Sequence, residues 1–558
     1  MIVLAQPGTR STATVADATA ATGTAPLAAA ATYVVRLGEG VPADLLLRDN
    51  ARSLRTESGA GAAVIVTHAP PGEGFVARYW LPVTDLFNDA TSIAADDLAR
   101  ALHGEITDWK ALGASAAPIH LFLPAEQLPE LRLLLGGALP TGVDTGVVVQ
   151  GTPAEAATPP PARISVLPAR DLPAAVELER GALGLMPLEA VDFHVRALPV
   201  DGVDLLRGVG DAGAYPLATR IAVAPAPGRP GDDAVRSVQA MLSAPLPAPE
   251  RLLATGDIIP ARCVYDRQRR YGDYRHAFLE VAPTLRTADL AIGSLDATIS
   301  DQGTPIGCRE TFSLLAPAES IQGITFAGIG LLTIAANHAK DCGESACGDR
   351  AFLDTIARLD AAGVAHAGGG RTLAEARSPA AVTVKGVRFA FLGYDDIAAQ
   401  YYGAGERSPG TAPLDLKTLA ADVRAAKGRA DVVVVMVHWG VEYTPDPTDR
   451  QREAARIAVE AGATLVVGNH PHVVQAVEAF PGGFADYALG NFVFDQDWSE
   501  ETLEGVVMEA VFDGPRLRQV TFLPLRIQDM HQPHFLTRER GRPILDRMQK
   551  ASARVAGR

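Results

Sequence analysis

Residues 466–475 read VVGNHPHVVQ, a short apolar run that ends in two histidines, His470 and His472, on either side of a proline. The whole chain of 558 residues has only 12 histidines, so this spacing is unusual. Pro471 restricts the backbone between the two imidazole rings and lowers the entropy lost when both rings bind one ligand. A single histidine after a strand is more often structural, so a binding site here needs further polar side chains at the ends of other strands.

Four other apolar runs in the second half of the chain also end in polar side chains. In an open α/β sheet the carboxyl ends of the strands meet at one edge, and ligands bind there. Carboxylate, amide and imidazole groups at such an edge are the ligands of a divalent cation such as Zn, Mn or Fe. Core packing does not require a polar residue at the end of every strand, so the coincidence predicts a metal site. The four runs end in Asp257, in Asp296, in Asn337 with His338 and Asp341, and in His438 with Glu442.

Apolar runs and amphipathic segments alternate along both halves of the chain, which predicts an α/β protein. In the second half, DVVVVMVHWG and ATLVVGNH are continuous apolar strands separated by the helix TDRQREAARIAVEAG. Thr448 is the predicted N-cap of this helix and Gly462 its end. The Pro-rich segment 225–250 is typical of a domain boundary. We therefore expect domains at 35–243 and 251–535, a linker at 244–250, and tails at 1–34 and 536–558.

The composition is that of a globular protein, with 47% hydrophobic and 21% charged residues. A formal net charge of −15 and the lack of a Lys/Arg cluster in the sequence argue against nucleic-acid binding. The sequence has no uninterrupted apolar run of about 18 residues, so no membrane-spanning helix is predicted. The Ala/Thr-rich residues 11–32 are expected to form a disordered or export-related segment.

Cysteine usage leaves two interpretations open. The four cysteines are Cys263, Cys308, Cys342 and Cys347, and none of them forms a CxxC zinc pattern. Their even number permits disulfide bonds, with Cys342 and Cys347 the closest pair along the chain. Four buried thiols are the alternative.

Six ordered motifs between about residues 250 and 530 resemble those of the CapA-type capsule synthesis proteins, also called poly-γ-glutamate synthesis proteins: GDIIPAR, AANHAKD, HAGGGR, VHWGVEY, GNHPHVVQ and ALGNFVFDQ. The resemblance implies an α/β/β/α metallophosphatase-like (calcineurin-like) sandwich. It also implies that His338 is the leaving-group acid and that Asn491 and Gln496 close the site. The implied metal ligands are Asp257, Asp296, Asn337, His438, His470 and His472.

Two carboxylates close in sequence to the implied ligands, Asp341 and Glu442, are candidate partners for histidine rings. Asp341 is three residues from His338 and is a candidate for orienting its ring. Glu442 is a candidate partner for the far side of a ligating histidine, with a solvated loop glutamate as the alternative.

The chain departs from the family pattern at two of these motifs. Ser294-Leu295-Asp296 stands where the family usually has Asn-Leu-Glu, and Ala336 stands where it often has asparagine. An aspartate reaches one methylene less than a glutamate, so both one and two bound ions are compatible with the sequence.

The first half resembles the phosphate-type periplasmic solute-binding proteins, which implies a two-lobed α/β fold. The resemblance rests on ALHGEITDWKALG, GALGLMPLEAV, LPVDGVDLL and YPLATRIAVA. The stretch expected to cradle phosphate reads LFLPAEQLPELRLLLGG and has no Gly-Ser-Gly-Thr run to offer backbone N–H groups. We therefore expect this domain to keep the fold and to have lost phosphate binding.

Three functions are compatible with these residues. The first is a metal-dependent hydrolase or transferase that acts on a phosphoester, or on a γ-glutamyl or peptide amide, in extracytoplasmic cell-envelope polymer metabolism. The second is a non-catalytic polymer-binding or assembly component of capsule synthesis or export. The third is metal-independent acid/base chemistry of the kind used by peptide epimerases. An anionic polymer or peptide is the expected substrate, and membrane-associated capsule machinery the expected partner.

Overall fold

The computed structural model describes residues 33–38, 41–47, 51–57, 62–70, 72–136, 139, 163–228, 232–309, 311–343 and 345–557. Residues 1–32 of the predicted N-terminal tail lie outside the described residues. Packing of the chain divides it into two compact units. The smaller unit includes Ala43–Thr67 and Val223–Leu242, and the larger one includes His68–Ala222 and Ser243–Arg558.

The first part of the chain is mixed α/β, as predicted. In the smaller unit, β1 pairs in parallel with both β2 and β3. In the larger unit, β4 pairs antiparallel with β7, β8 and β9, while β5 pairs in parallel with β6 and β7. These elements are β1 (Tyr33–Leu37), β2 (Leu54–Thr56), β3 (Val64–His68), β4 (Phe75–Thr84), α1 (Ala95–Leu102), β5 (His120–Pro124), α2 (Leu128–Leu134), β6 (Arg163–Leu167), α3 (Leu172–Val176), β7 (Ala182–Pro187), β8 (Arg196–Ala197), β9 (Ala218–Pro225) and α4 (Asp232–Leu242).

The second part of the chain supplies the remaining strands and helices of the larger unit. The strands are β10 (Pro249–Ile258), β11 (Leu290–Leu295), β12 (Thr298–Ile299), β13 (Leu315–Ala316), β14 (Ile329–Thr333), β15 (Ala365–Ala367), β16 (Gly369–Gly370), β17 (Ala380–Val384), β18 (Val387–Asp395), β19 (Gly410–Thr411), β20 (Val432–His438), β21 (Leu465–Asn469), β22 (Val477–Phe480), β23 (Gly483–Asp486), β24 (Asn491–Val493), β25 (Glu504–Asp513), β26 (Arg516–Gln528) and β27 (Gln532–Phe535). The helices are α5 (Arg262–Tyr271), α6 (Ala282–Leu285), α7 (Ile321–Ala327), α8 (Gly348–Ala362), α9 (Leu373–Ala376), α10 (Ala399–Tyr402), α11 (Leu416–Lys427), α12 (Asp449–Glu460), α13 (Glu500–Leu503) and α14 (Arg538–Val555).

Two sheets pack face to face in this part. One has the strand order β15-β14-β11-β10-β25-β26-β27, with β24 beside β10, and the other has the order β17-β18-β20-β21-β23-β22. Leu252 of β10 and Val434 of β20 share the core between the sheets. Their sequence neighbours Leu253 and Val433 lie in the two outer cores, under the helices. Both faces of these strands are therefore covered, which explains their continuous apolar sequence and confirms the α/β/β/α layering.

Two helices, α12 and α14, can be compared with the boundaries predicted from the sequence. Thr448 caps α12 as predicted, and it forms a capping box with Gln451. The predicted C-terminal tail, residues 536–558, is corrected by the structure, because α14 occupies most of it. Ile544, Met548 and Ala551 repeat at helical spacing and are buried.

The stretch compared with a phosphate cradle builds β5 and α2, and a carboxylate of the chain uses the nearby donors. Glu130, in the first turn of α2, is buried and accepts hydrogen bonds from Arg78, Trp80 and Thr219. The Trp80 Nε1 to Glu130 Oε1 distance is 3.2 Å. These donors are thus engaged by a side chain of the same protein, and the expected loss of phosphate binding stays a prediction.

Residues 68–222 and 243–558 pack into the same unit, through contacts that include a buried carboxylate. Glu509 of β25 is 2% exposed and accepts hydrogen bonds from Arg207 Nε at 2.9 Å and Arg251 Nε at 2.8 Å. Burial raises the pKa of Glu509, but the two guanidinium groups outweigh it and hold the pKa below its usual value. The domain boundary at 244–250 stays a prediction, since packing groups segments from both sides of it.

We predict that Arg207→Ala lowers the free energy of unfolding by about 2 kcal/mol, because it leaves a buried carboxylate short of one partner. Chemical denaturation at neutral pH measures the change. The lowered pKa of Glu509 means that this stabilisation exists above the unfolded-state pKa and is lost as acid protonates the carboxylate. Arg180→Ala is the control, since Arg180 is half exposed and its nearest carboxylate, on Asp546, is 3.8 Å away. Equal losses in the two variants would contradict the prediction.

Candidate metal centre

Strands from both sheets end at one point and bring carboxylates and imidazoles together. Asp257 is the penultimate residue of β10, Asp296 follows β11, and His438 is the last residue of β20. His438 Nδ1 is 3.9 Å from Asp257 Oδ1, and His438 Nε2 is 3.7 Å from Asp296 Oδ1. All three side chains are fully buried. The shorter Asp296 carboxylate therefore still reaches the cluster that the sequence predicted.

Two further predicted ligands surround His438. Asn337 Oδ1 is 2.6 Å from His438 Nε2, and His470 Nδ1 is 3.2 Å from the same nitrogen. The His470 backbone N–H also donates to Asp257 Oδ2 at 3.2 Å. The loops after β14 and β21 thus meet at the ends of β10 and β20.

His472 is positioned by the two residues predicted to close the site. Its Nδ1 is 2.9 Å from Asn491 Oδ1 and 3.4 Å from Asp257 Oδ2. Asn491 donates in turn to Gln496 Oε1 at 3.1 Å and to the Thr502 carbonyl at 2.9 Å. These contacts orient the His472 ring and leave its Nε2 available to a ligand.

Glu442 lies closer to the histidines than the sequence indicated. Its carboxylate and one ring nitrogen each of His470 and His472 all lie within 4.8 Å of one another. Glu442 is exposed, whereas both histidines are buried. The predicted partner behind a ligand is therefore close enough to bind the same cation as His470 and His472.

His338 and Asp341 form a pair beside this cluster. His338 Nδ1 is 2.7 Å from Asp341 Oδ2, and the same oxygen accepts from the Leu314 N–H at 2.6 Å. The His338 backbone N–H donates to Asp296 Oδ1 at 3.3 Å. Burial lowers the pKa of His338, but the Asp296 and Asp341 carboxylates outweigh it and raise the pKa to about 9. The ring therefore holds a proton at neutral pH, with its Nδ1 at hydrogen-bond distance from Asp341.

The buried polar atoms of the cluster fit a bound divalent cation. Asp257 Oδ1, Asp296 Oδ2 and His438 Nδ1 are buried and have no hydrogen-bond partner among the described residues. Such atoms each cost about 1–3 kcal/mol unless a ligand satisfies them. Burial raises the pKa of Asp296 to about 7 and lowers that of His438 well below its usual value. A cation would favour the charged carboxylate, and the neutral imidazole is already the ligating form.

Three residues of this centre have a left-handed backbone conformation. His470, His472 and Tyr443 have φ angles of 98°, 59° and 60°, in the left-handed region that favours glycine. The Tyr443 N–H donates to the Pro471 carbonyl at 2.8 Å, which ties the two loops together. Strain of this kind persists where the surrounding structure imposes it, and it clusters at functional sites.

Two further buried polar residues at strand ends were not singled out from the sequence. Asn469 ends β21 and Asp486 ends β23, and the side-chain oxygens of both have no hydrogen-bond partner among the described residues. Burial raises the pKa of Asp486 well above its usual value. Asn469 could have been found as a polar strand end inside VVGNHPHVVQ, whereas nothing in the sequence around Asp486 distinguishes it from a turn residue.

The structure decides between the two interpretations of the cysteines. Cys263 is bonded to Cys308, and Cys342 is bonded to Cys347. The second disulfide closes the short loop between Cys342 and Cys347, which begins directly after Asp341.

Comparison with known proteins identifies the family. The family model described as "Bacterial capsule synthesis protein PGA_cap" matches residues 251–496. The capsule biosynthesis protein CapA of Bacillus anthracis is 34% identical over 290 residues, which are 50% of this chain and 68% of that protein. The chain belongs to this CapA family.

Other relatives extend the comparison. The PGA biosynthesis protein CapA of Bacillus subtilis is 34% identical over 245 residues, 44% of this chain and 63% of that protein. The CapA-family chain is also similar to the NAD nucleotidase NadN of Haemophilus influenzae, at 11% identity and a TM-score of 0.32 over 54% of this chain and 56% of that one. In the described part of the chain, no helix has the length and apolar character needed to cross a membrane.

We predict that the purified protein binds Zn, Mn or Fe at this centre and that His470→Ala lowers the metal content and the melting temperature together. A cation that binds only the folded state stabilises it by mass action, so weakening the site removes that stabilisation. Elemental analysis and thermal unfolding, with and without a chelator, measure both effects. His103→Ala, at an exposed histidine of the same chain, is the control. A wild type that neither contains nor takes up metal would show the prediction to be wrong.

Proposed function

We propose that this CapA-family protein is a metal-dependent hydrolase or transferase that acts on a phosphoester, or on a γ-glutamyl or peptide amide, in capsule or related envelope polymer metabolism. The family and the names of its Bacillus relatives support the polymer context. The observation that carries the catalytic part is the group of buried Asp257, Asp296 and His438 atoms without hydrogen-bond partners among the described residues. If these side chains had only a structural role, nothing would offset the free-energy cost of burying polar atoms without hydrogen bonds.

The residues divide into two roles. Asp257, Asp296, Asn337, His438, His470 and His472 would hold one or two cations, with Glu442 at the exposed side. A bound divalent cation supplies a water nucleophile at neutral pH and polarises the oxygen under attack. His338 delivers a proton from Nε2 to the leaving group, while Asp341 fixes the ring through Nδ1.

The disulfides support an extracytoplasmic location, because such bonds persist in oxidising compartments. An anionic polymer or peptide as substrate, and capsule machinery at the membrane as partner, remain part of the proposal.

We predict that His338→Ala lowers kcat by roughly 10² to 10⁴ on substrates with poor leaving groups while metal content stays nearly unchanged. A general acid must be protonated, so wild-type activity on those substrates falls as pH rises through the His338 pKa, and the variant lacks that decline. Phosphomonoesters, phosphodiesters and γ-glutamyl amides form the assay panel. His103→Ala should match the wild type.

A different outcome would favour the assembly role. If the wild type turns over no compound on the panel, and the His338→Ala and His470→Ala variants still support polymer assembly in cells, the catalytic proposal is wrong.

A further inference from the structure

Two aromatic side chains stand exposed beside the metal centre. Tyr443, in the loop after β20, is 46% exposed, and Trp498, in the segment after β24, is 58% exposed. Their ring centroids are 6.2 Å apart, and the Tyr443 ring is also 6.2 Å from the His472 ring. The aromatic pair, Tyr443 with Trp498, therefore extends outward from a candidate metal ligand in two steps of about one ring width each.

The Tyr443 ring is held in place although it faces solvent. Its backbone adopts a left-handed conformation, and its N–H donates to the Pro471 carbonyl. Its hydroxyl accepts a hydrogen bond from Gln496 Nε2 at 3.2 Å, and Gln496 also accepts from Asn491. Core packing does not account for strain at an exposed aromatic residue, so the conformation is better explained by a ligand.

The geometry and the charges restrict what that ligand can be. The Tyr443 and Trp498 rings meet at an interplanar angle of 79°, so they form a corner and not a slot for a flat heterocycle. The negative face of an aromatic ring attracts the C–H groups of a puckered ring stacked on it. Asp497 is exposed beside Trp498 along the chain, and its carboxylate can accept hydrogen bonds from hydroxyl groups.

We infer that the aromatic pair binds a sugar ring, so that the substrate is a phosphoester of a sugar or of a sugar polymer. The inference rests on the proposed function, since it places the phosphoryl group at the metal centre and the attached sugar against Tyr443 and Trp498. A chain of γ-linked glutamates fits this position less well, because each unit carries a carboxylate that Asp497 would repel.

Tryptophan fluorescence reports on the aromatic pair independently of turnover. The chain has four tryptophans, of which Trp80, Trp109 and Trp439 are fully buried and Trp498 is exposed. Acrylamide therefore quenches chiefly Trp498 in the protein as purified. We expect glucose 1-phosphate to shield Trp498 from acrylamide, and glycerol 3-phosphate, which carries the same phosphoryl group without a ring, to leave quenching unchanged.

Kinetics supply the second measurement. Trp498→Ala should lower kcat/KM for glucose 1-phosphate about tenfold, mainly through KM, and change that for glycerol 3-phosphate by less than about twofold. Trp498→Phe keeps an aromatic face and should retain most of the activity. Tyr271→Ala, at a half-exposed tyrosine at the far end of α5, is the matched control.

The outcomes separate this inference from the proposed function. Equal shielding by both phosphates, or shielding by a γ-linked glutamate oligomer and not by glucose 1-phosphate, would overturn the sugar assignment. If esters are hydrolysed but Trp498→Ala affects both substrates equally, the proposed function stands and the aromatic pair does not select sugars. If no phosphoester is hydrolysed while glucose 1-phosphate still shields Trp498, the catalytic proposal fails and sugar binding remains.

Discussion

The Asp257 carboxylate is the group on which the rest of the centre depends. It is fully buried, it accepts the His470 N–H, and it lies within 4 Å of the His438 and His472 rings. Its position follows from sheet register, because β10 pairs with β11, β24 and β25 at the middle of its sheet. Gly256 allows β10 to lie close to the segment before β24, since a Cβ at residue 256 would lie 1.9 Å from the Gly490 carbonyl oxygen.

Burying the carboxylates and imidazoles of the centre lowers the stability of the fold, although the site needs them. Burial and the neighbouring histidines lower the pKa of His470 to about 3, whereas at His472 burial is outweighed by the nearby carboxylates, Asp257 first, which raise the pKa. The Asp296 carboxylate meets the opposite penalty, since burial raises its pKa. A divalent cation is the one partner that relieves both, because it favours ionised carboxylates and neutral imidazoles together. The apolar cores on both faces of the two sheets stabilise the sandwich and offset the cost of burying these polar groups.

Much of the centre could be predicted because strand ends are visible in a sequence. An apolar run followed by a polar residue is a local pattern, and the layering then brings Asp257, His438 and His470 together. Contacts that depend on tertiary register could not be predicted in this way. The approach of Glu442 to the histidines depends on the path of a loop, and the Cys263–Cys308 disulfide joins residues 45 positions apart. The helix α14 was missed because its apolar residues are sparse among arginines, although Ile544 and Met548 are buried.

Strands and loops contribute separately to this site. The strand ends carry the carboxylates and imidazoles, and their positions are fixed by hydrogen bonding in two sheets that tolerate little change. Tyr443 and Trp498 lie in connections that can vary without disturbing either core. A series of hydrogen bonds joins the loop residues to the metal centre, and it runs from Tyr443 through Gln496 and Asn491 to His472. A change in the loop that carries Tyr443 therefore alters the orientation of a candidate metal ligand as well as the surface offered to a substrate, so the recognition of substrate and the geometry of the centre are physically coupled.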